Sequence, residues 1–410
     1  MRKYLIATTT SIFFMIGCSH AQSTVPQPIG NNQAGQIHAG LSPASSVKDY
    51  NVLYSFQNSS DGASPKGDLI RDAAGNLYGT TRYGGDRNCN QPLGCGVVFK
   101  IDPNGNFSAL HAFDGADGDE PAAGLLRDMA GNLYGTTFMG GASGWGVVFK
   151  LDPSGSETVL HSFNVTDGLY PLSDLVRDAA GNLYGTTSGG GSFGYGLVFK
   201  LDPSGNETVL HSFNERDGYS PGGGLVRDAS GNLYGTTLLG GAHSSGVVFK
   251  IDSNGNETTL HSFNGADGAD PLSSLLHDTA GNLYGTTIYG GSPACRYGCG
   301  LVFKVDAGGK ETVLHSFKGP DGKWPTGALD WGGGGVIYGV TSRGANVGGV
   351  IFKLAPSGNE TVLHAFRYAR GFRPSAGMVR DSAGNLYGTT YEGGTSGCQD
   401  GCGVVFKLSP

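Results

Sequence analysis

Two stretches decide the reading: DLVRDAAGNLYGTT at 174–187 and GLVFKLDPSGNETVLHSF at 196–213. Each holds two short apolar runs around a cluster of Asp, Gly and Asn or Ser. In the first, LVRD and NLYGTT flank a D-A-A-G-N turn. In the second, LVFKL and ETVLHSF flank D-P-S-G-N, where the fixed φ of Pro203 suits a turn. Asp, Asn and Gly at such junctions favour tight hairpins. No sustained 3.6-residue apolar period runs through either stretch, and the Gly and Thr of NLYGTT oppose helix. The pair predicts four antiparallel strands in roughly 50 residues.

The unit recurs along the chain. GNLYGTT, or its degenerate copy GVIYGVT, places Tyr at 78, 134, 184, 234, 284, 338 and 387. VVFK or a variant places Phe at 99, 149, 199, 249, 303, 352 and 406. TVLHSF or a variant places Phe at 56, 113, 163, 213, 263, 317 and 366. Seven four-stranded units predict an all-β, seven-bladed β-propeller with four antiparallel strands per blade. A linear solenoid is the alternative, and the chain ends favour the ring. The repeats begin with a lone fourth strand, NVLYSF at 51–56, and end after a third strand, GVVFKL at 403–408. Pairing these gives a last blade closed by the N-terminal strand and no bare terminal sheet. A solenoid would want capping units instead. The propeller is assigned to residues 50–410.

The pattern GG…GVVFKLDPSGNETVLHSF…DG…P…GLVRDAAGNLYGTT resembles the GloVer (Gloeo/Verruco) tandem repeat of choice-of-anchor bacterial surface proteins. The resemblance covers about residues 50–410. It implies a secreted protein held by one of several interchangeable anchors, and it implies no established activity. The strand grammar is also similar to NHL-type propeller repeats. The sixth copy departs from the pattern: Trp331, Gly332 and Val336 stand in place of the usual Arg, Asp and Asn.

The N-terminus has the layout of an export signal: Arg2 and Lys3 precede an apolar run from Tyr4 to Gly17. Met15-Ile16-Gly17-Cys18 resembles a lipobox, which makes residues 1–17 a lipoprotein signal peptide and Cys18 the lipidated residue. Ser19-His20-Ala21 offers ordinary cleavage as the competing site. Residues 18–49, rich in Ser, Gln, Asn, Pro and Gly, read as a flexible tether. The expected location is the cell envelope, as an outer-membrane lipoprotein or at the cell surface, with secretion as the alternative. Composition agrees with a rigid β-body. Charged residues make up only 15%, against long ion-paired helices, and 38% hydrophobic residues exclude wholesale disorder. The formal net charge of −7 and the lack of any Lys/Arg run disfavour nucleic acid. Membrane contact is expected only through the lipid, and the protein is expected to be a monomer.

Seven cysteines include Cys18 and three pairs. The pairs are Cys89 with Cys95, Cys295 with Cys299, and Cys398 with Cys402. All six lie between the second and third strands, in the three loops where Tyr-to-Phe spacing grows from 14 or 15 residues to 19 or 21. Local disulfides follow from export. Zinc binding and a swapped bridge between the first and seventh units are the alternatives.

Recurring polar residues read as structural. His111, His161, His211, His261, His315 and His364 occupy one position, which Tyr54 fills in the first copy. A metal shared among these imidazoles is opposed by the distance between blades, so each is expected to bond a neighbouring blade. Asp61, Asp117, Asp167, Asp217, Asp267 and Asp321 precede Gly in the DG…P loops and suit Asx turns. Calcium stays open at 114–121; no other cofactor is expected. The recurring VVFK lysines and RD aspartates are expected to form ion pairs in blade packing. The seventh loop, RYARGFRP, instead brings Arg367, Arg370 and Arg373, suited to a carboxylate or sulfate group.

Loop aromatics are the best binding signal. Both crossing loops of each unit should emerge on one face. They carry Trp145, Tyr170, Tyr195, Tyr219 and Trp324, which with Arg370 and Arg373 form the candidate ligand-binding set. Flat aromatic faces suit sugar rings or protein anchors. No nucleophile elbow, phosphate loop or zinc-helix signature is present. The expected function is therefore non-catalytic binding of a glycan or protein. The alternative is a propeller hydrolase, lactonase or lyase with a metal or acid–base site at the channel mouth. For that reading the non-repeated candidates are Asp119, Glu120, His243, Asp270 and Glu392.

Overall fold

The structure, a computed structural model, describes residues 49–344, 348–394 and 397–410. The expected signal peptide, Cys18 and the tether up to residue 48 lie outside the described residues. Seven antiparallel sheets follow one another along the chain and close into a ring. In the third blade the order outward is Leu169–Pro171 with Val176–Arg177, then Leu183–Gly189, Leu197–Leu201 and Glu207–Ser212. The innermost strand is thus in two pieces, both antiparallel to Leu183–Gly189. LVRD covers only the second piece. Pro171, which lacks an N–H, ends the first.

A cross-strand pair explains the recurring motifs. Gly185 of LYGTT lies opposite Phe199 of LVFK. A Cβ on Gly185 would stand 2.7 Å from the Phe199 ring, and the six equivalent glycines face the same clash. Phe199 is fully buried and is met edge-on by Phe163 of the preceding blade, with centroids 5.1 Å apart. This contact recurs at every seam. Among the described residues the core accordingly falls into clusters that each join two adjacent blades.

The ring closes as the chain ends require. Asp49–Ser55 pairs antiparallel with Val404–Ser409, from Asp49 opposite Ser409 to Ser55 opposite Val404. The strand starts two residues before the expected position and carries the bulge seen in the other outer strands. Phe56 then meets Phe99 of the first blade at 5.3 Å. An Arg–Tyr contact repeats between blades and also crosses the closure. Arg127 lies over Tyr78, Arg177 over Tyr134 and Arg227 over Tyr184, and Arg71 lies 5.7 Å above Tyr387. In the divergent sixth blade, Trp331 takes this place and packs edge-on against Tyr284 at 5.0 Å.

The expected Asp–Lys pairing gives way to local bonding. Asp178 accepts the Asn182 backbone N–H at 2.9 Å, its side-chain amide at 2.7 Å and the Tyr184 hydroxyl at 2.9 Å. A turn residue four positions away needs less ordering than a flexible lysine. Lys250, Lys304 and Lys407 instead place their ammonium groups 5.8–5.9 Å over the Tyr rings of their own blades.

Two outcomes follow. Gly185→Ala should cost about 1–3 kcal/mol through overpacking against Phe199, read by urea denaturation; an unchanged midpoint contradicts the cross-strand account. A chain truncated through Phe56 exposes Val404–Ser409 as a bare edge. It should elute as oligomers or aggregate on size exclusion, whereas a monomer with native melting behaviour contradicts closure by this strand.

Candidate functional site

Alternating strand direction puts the DG…P loops and the long second-to-third-strand loops on one face. The DG aspartates hold turns, as expected. Asp217 accepts the Asn214 backbone N–H at 2.9 Å and its side-chain amide at 2.8 Å. Within 114–121, Asp114 accepts the N–H groups of Ala116 and Asp117. Each loop then reaches a residue before proline that sits in the left-handed region. These residues are Ser64, Glu120, Tyr170, Ser220, Asp270, Trp324 and Arg373, all with φ between 56° and 59°. For a non-glycine residue this conformation costs roughly 1–2 kcal/mol. The N–H of each donates to a loop carbonyl of the preceding blade at 2.7–3.1 Å, from Ser64 to Cys402 O around to Arg373 to Gly348 O. The backbone is therefore the same seven times, while the side chain changes almost every time.

Around this ring the sequence-predicted aromatics gather in patches. Tyr170 stacks on Phe138 at 4.7 Å and meets Trp145 edge-on at 5.3 Å. Tyr195 meets Tyr219 at 5.0 Å and its hydroxyl lies 3.3 Å from Glu215. Trp324 packs with Tyr289 at 6.3 Å, with the Lys323 ammonium 4.9 Å from its ring. The seventh, first and second blades supply a polar patch. Arg82 bonds Glu120 at 2.6 Å, and Arg373 bonds Glu392 at 2.6 Å. Arg82 lies over Tyr83 and Arg373 over Tyr391, and the two tyrosine side chains are close enough to influence each other. Lys66 is beside this patch. Burial, then the nearby Arg82 charge, pushes its ammonium down to about 8.

Arg370 is placed elsewhere. Its guanidinium lies 5.0 Å over Tyr50 and donates to the Tyr50 carbonyl, while its own carbonyl accepts the Tyr50 hydroxyl. It clasps the closing strand. Of the non-repeated candidates, Glu120 and Glu392 belong to the ion pairs above. Burial raises Asp270 to about 6, and burial with the Glu120 charge raises Asp119 to about 6. His243 is on an exposed loop. Among the described residues these five form no shared cluster of metal-ligating atoms.

The structure also reveals an axial pair that recurring motifs concealed. One position of the innermost segment carries Asp68, Gly124, Asp174, Gly224, Ser274, Ala328 and Gly377 in turn. Neighbours in this series lie against one another from Asp68 to Ser274, and Gly377 lies against both Ala328 and Asp68. Asp68 accepts the Gly377 N–H at 2.5 Å, and Asp174 accepts the Gly124 N–H at 2.6 Å. Burial, then the charge of Asp174, raises Asp68 to about 7; burial raises Asp174 as well. Aligning the seven copies exposes two acids in a column of small residues. A separate cleft of about 680 Å³ opens on the opposite face between the fifth and sixth blades, lined by Tyr284, Lys304, Trp331 and Pro356.

The cysteines form the three local bridges, with Cα–Cα distances of 5.6 Å for Cys89–Cys95 and 5.2 Å for Cys295–Cys299 and Cys398–Cys402. The backbone carbonyls of Cys95, Cys299 and Cys402 accept the N–H groups of Glu120, Trp324 and Ser64 in the left-handed ring, so each bridge abuts that ring.

The repeated histidines bond differently from the expectation. Two of them bond the DG aspartate six residues on, His111 Nε2 to Asp117 Oδ2 at 2.8 Å and His315 to Asp321 at 3.2 Å, and His161, His211 and His261 lie 3.3–3.5 Å from theirs. The neighbouring blade contributes a glutamate that the motif reading passed over. His315, Asp321 and Glu360 bring one ligating atom each to within 4.8 Å of one another. Glu157, Glu207, Glu257 and Glu311 stand correspondingly beside Asp117, Asp167, Asp217 and Asp267. The two seams beside the closing strand carry stacked rings instead: Tyr50 on His364 at 3.9 Å, and Tyr54 on Phe107 at 4.5 Å.

A seven-bladed propeller with a variable loop face is thus the class of this protein. The sequence model of the Gloeobacter/Verrucomicrobia repeat matches residues 27–177, 90–296 and 276–410. The chain belongs to that repeat family. No curated protein matches it. Solved structures resemble its fold. The extracellular domain of the hybrid two-component system BT3049 from B. thetaiotaomicron is 12% identical with a TM-score of 0.56. That likeness covers 89% of this chain and 41% of the other, so this chain spans well under half of it. The corresponding domain of BT4673 is 12% identical at a TM-score of 0.57, covering 88% and 39%. A gluconolactonase from Xanthomonas campestris is 13% identical with a TM-score of 0.45, covering 88% and 89%.

The seam glutamates make stability depend on pH. Burial, then the Asp167 charge, raises Glu207 to about 7 from an ordinary value of 4.5. The folded state therefore prefers the protonated acid. That contribution is complete below about 4.5 and is lost as pH rises through about 7. Burial lowers His161 of the same seam, which opposes this on the acid side. In metal-free buffer, Glu207→Gln should raise the melting temperature relative to the parent more at pH 8 than at pH 5. An equal shift at both pH values would contradict the assignment.

Proposed function

We propose that this protein is an exported, lipid-anchored, non-catalytic binding module that holds a glycan or protein partner on its loop face. The observation that carries the reading is the ring of seven left-handed residues. A fold that needed only a turn there would use glycine, which adopts this conformation without strain. Here the strained position bears Tyr, Trp, Arg, Glu, Asp and Ser, side chains suited to recognition. Trp145, Tyr170, Tyr195, Tyr219 and Trp324 supply flat faces, and Arg373 with Arg82 supplies charge. A seven-fold hydrogen-bonded backbone beneath them limits the ordering cost of binding. Three disulfides support export to an oxidising compartment.

On a glycan array and against envelope extracts, Trp145→Ala and Trp324→Ala should each weaken binding at least roughly tenfold, as expected for buried aromatic anchors. Unchanged binding in both variants removes the reading. Mass spectrometry should find a mature chain starting at lipid-modified Cys18; an unmodified start at Gln22 removes the anchor.

A hydrolytic reading rests on the axial pair, where Asp68 is held at about 7 beside Asp174. It requires a substrate whose turnover Asp68→Asn abolishes while its binding persists.

A further inference from the structure

We infer that five of the seven outer seams each bind a divalent transition-metal ion of the zinc type. The ligands are the repeated histidine, the loop aspartate after it and the glutamate of the next blade. At the seam of the fifth and sixth blades these are His315, Asp321 and Glu360.

Geometry comes first. His315 Nε2 and Asp321 Oδ2 are 3.2 Å apart. Two atoms bonded at about 2.1 Å to one tetrahedral ion lie about 3.4 Å from each other. That pair already has the required spacing, and a Glu360 carboxylate oxygen lies within 4.8 Å of both atoms. One imidazole nitrogen and two carboxylate oxygens leave the fourth position open, as zinc accepts. Two carboxylates and a doubly charged cation also balance in charge.

The second observation is independent of spacing. The Oε1 atoms of Glu157, Glu207, Glu311 and Glu360 are buried with no hydrogen-bond partner. The Nε2 atoms of His161, His211 and His261 share this state, 3.3–3.5 Å from their aspartates but out of line for a bond. One orphaned buried polar atom costs about 1–3 kcal/mol. Repeating the arrangement from seam to seam is hard to sustain unless something satisfies it, and a cation satisfies both ligand types together.

The remaining two seams act as an internal contrast. Where Phe107 or Tyr50 takes the glutamate position, the triad is broken and rings stack in its place. At His364 the aspartate position is held by Arg370, whose charge opposes a cation. Each of these two seams lacks two of the three ligands, keeping only Asp61 in one and only His364 in the other. Each ion would bridge two blades, because His and Asp come from one and Glu from the next.

The test uses the mature protein, stripped with chelator, equilibrated with Zn²⁺ alone at pH 7.5 and desalted. Metal per chain is counted by plasma mass spectrometry, with five ions expected. Glu360→Gln and Glu207→Gln keep the side-chain shape and address separate seams. Five ions per chain, falling to four in either folded variant, supports the inference. Fewer than five, or a count neither variant changes, overturns it.

Discussion

The edge-to-face contact between the phenylalanine of TVLHSF and that of the next blade's VVFK is the interaction on which the ring depends. Such a pair contributes about 0.5–1.5 kcal/mol beyond area burial, and here it occurs at every seam. The burial of each ring is completed across the seam, so each sheet needs a neighbour on both sides. An open array would leave Phe56 and Phe99 bare at its two ends. Closure removes both exposures together, and the glycine opposite each VVFK phenylalanine makes room for it.

The seams divide into two chemistries on that common contact. Five join blades whose outer strands are continuous with the repeat, and these carry His, Asp and Glu. The two that border the N-terminal strand carry stacked rings. The closing strand is tied to the rest by hydrogen bonds to one sheet and by side chains to its flanks. Stacked apolar rings hold such a strand without depending on the protonation of a carboxylate. Arg370, bonded to Tyr50 on both its guanidinium and its carbonyl, belongs to this closing apparatus.

The loop face separates recognition from architecture. Its backbone is fixed by one N–H···O=C bond per seam, and its side chains vary over that fixed frame. Aromatic patches occupy the second to sixth blades, while Arg–Glu pairs occupy the seventh blade and the meeting of the first and second. The axial aspartates lie inside this rim, where small residues fill the other copies.

The repeats by themselves determined the blade count, the strand order, the closure and the local disulfides. Each follows from chain-local spacing: turn residues at constant offsets, a half-blade at either end and cysteines only in lengthened loops. The aromatic loop residues were legible for the same reason, as departures from a repeating background. Tertiary structure decided what lies between blades. The glutamate of ETVLHSF gains meaning only when the preceding blade brings His and Asp beside it, some 40 residues away in sequence. Asp68 and Asp174 meet because a closed ring draws every innermost segment to one axis. Arg370, legible as a charge, became a clasp because Tyr50, 320 residues earlier, returns to that seam. Contacts within a unit are written in its spacing, whereas contacts across a seam depend on the angle at which neighbouring sheets pack.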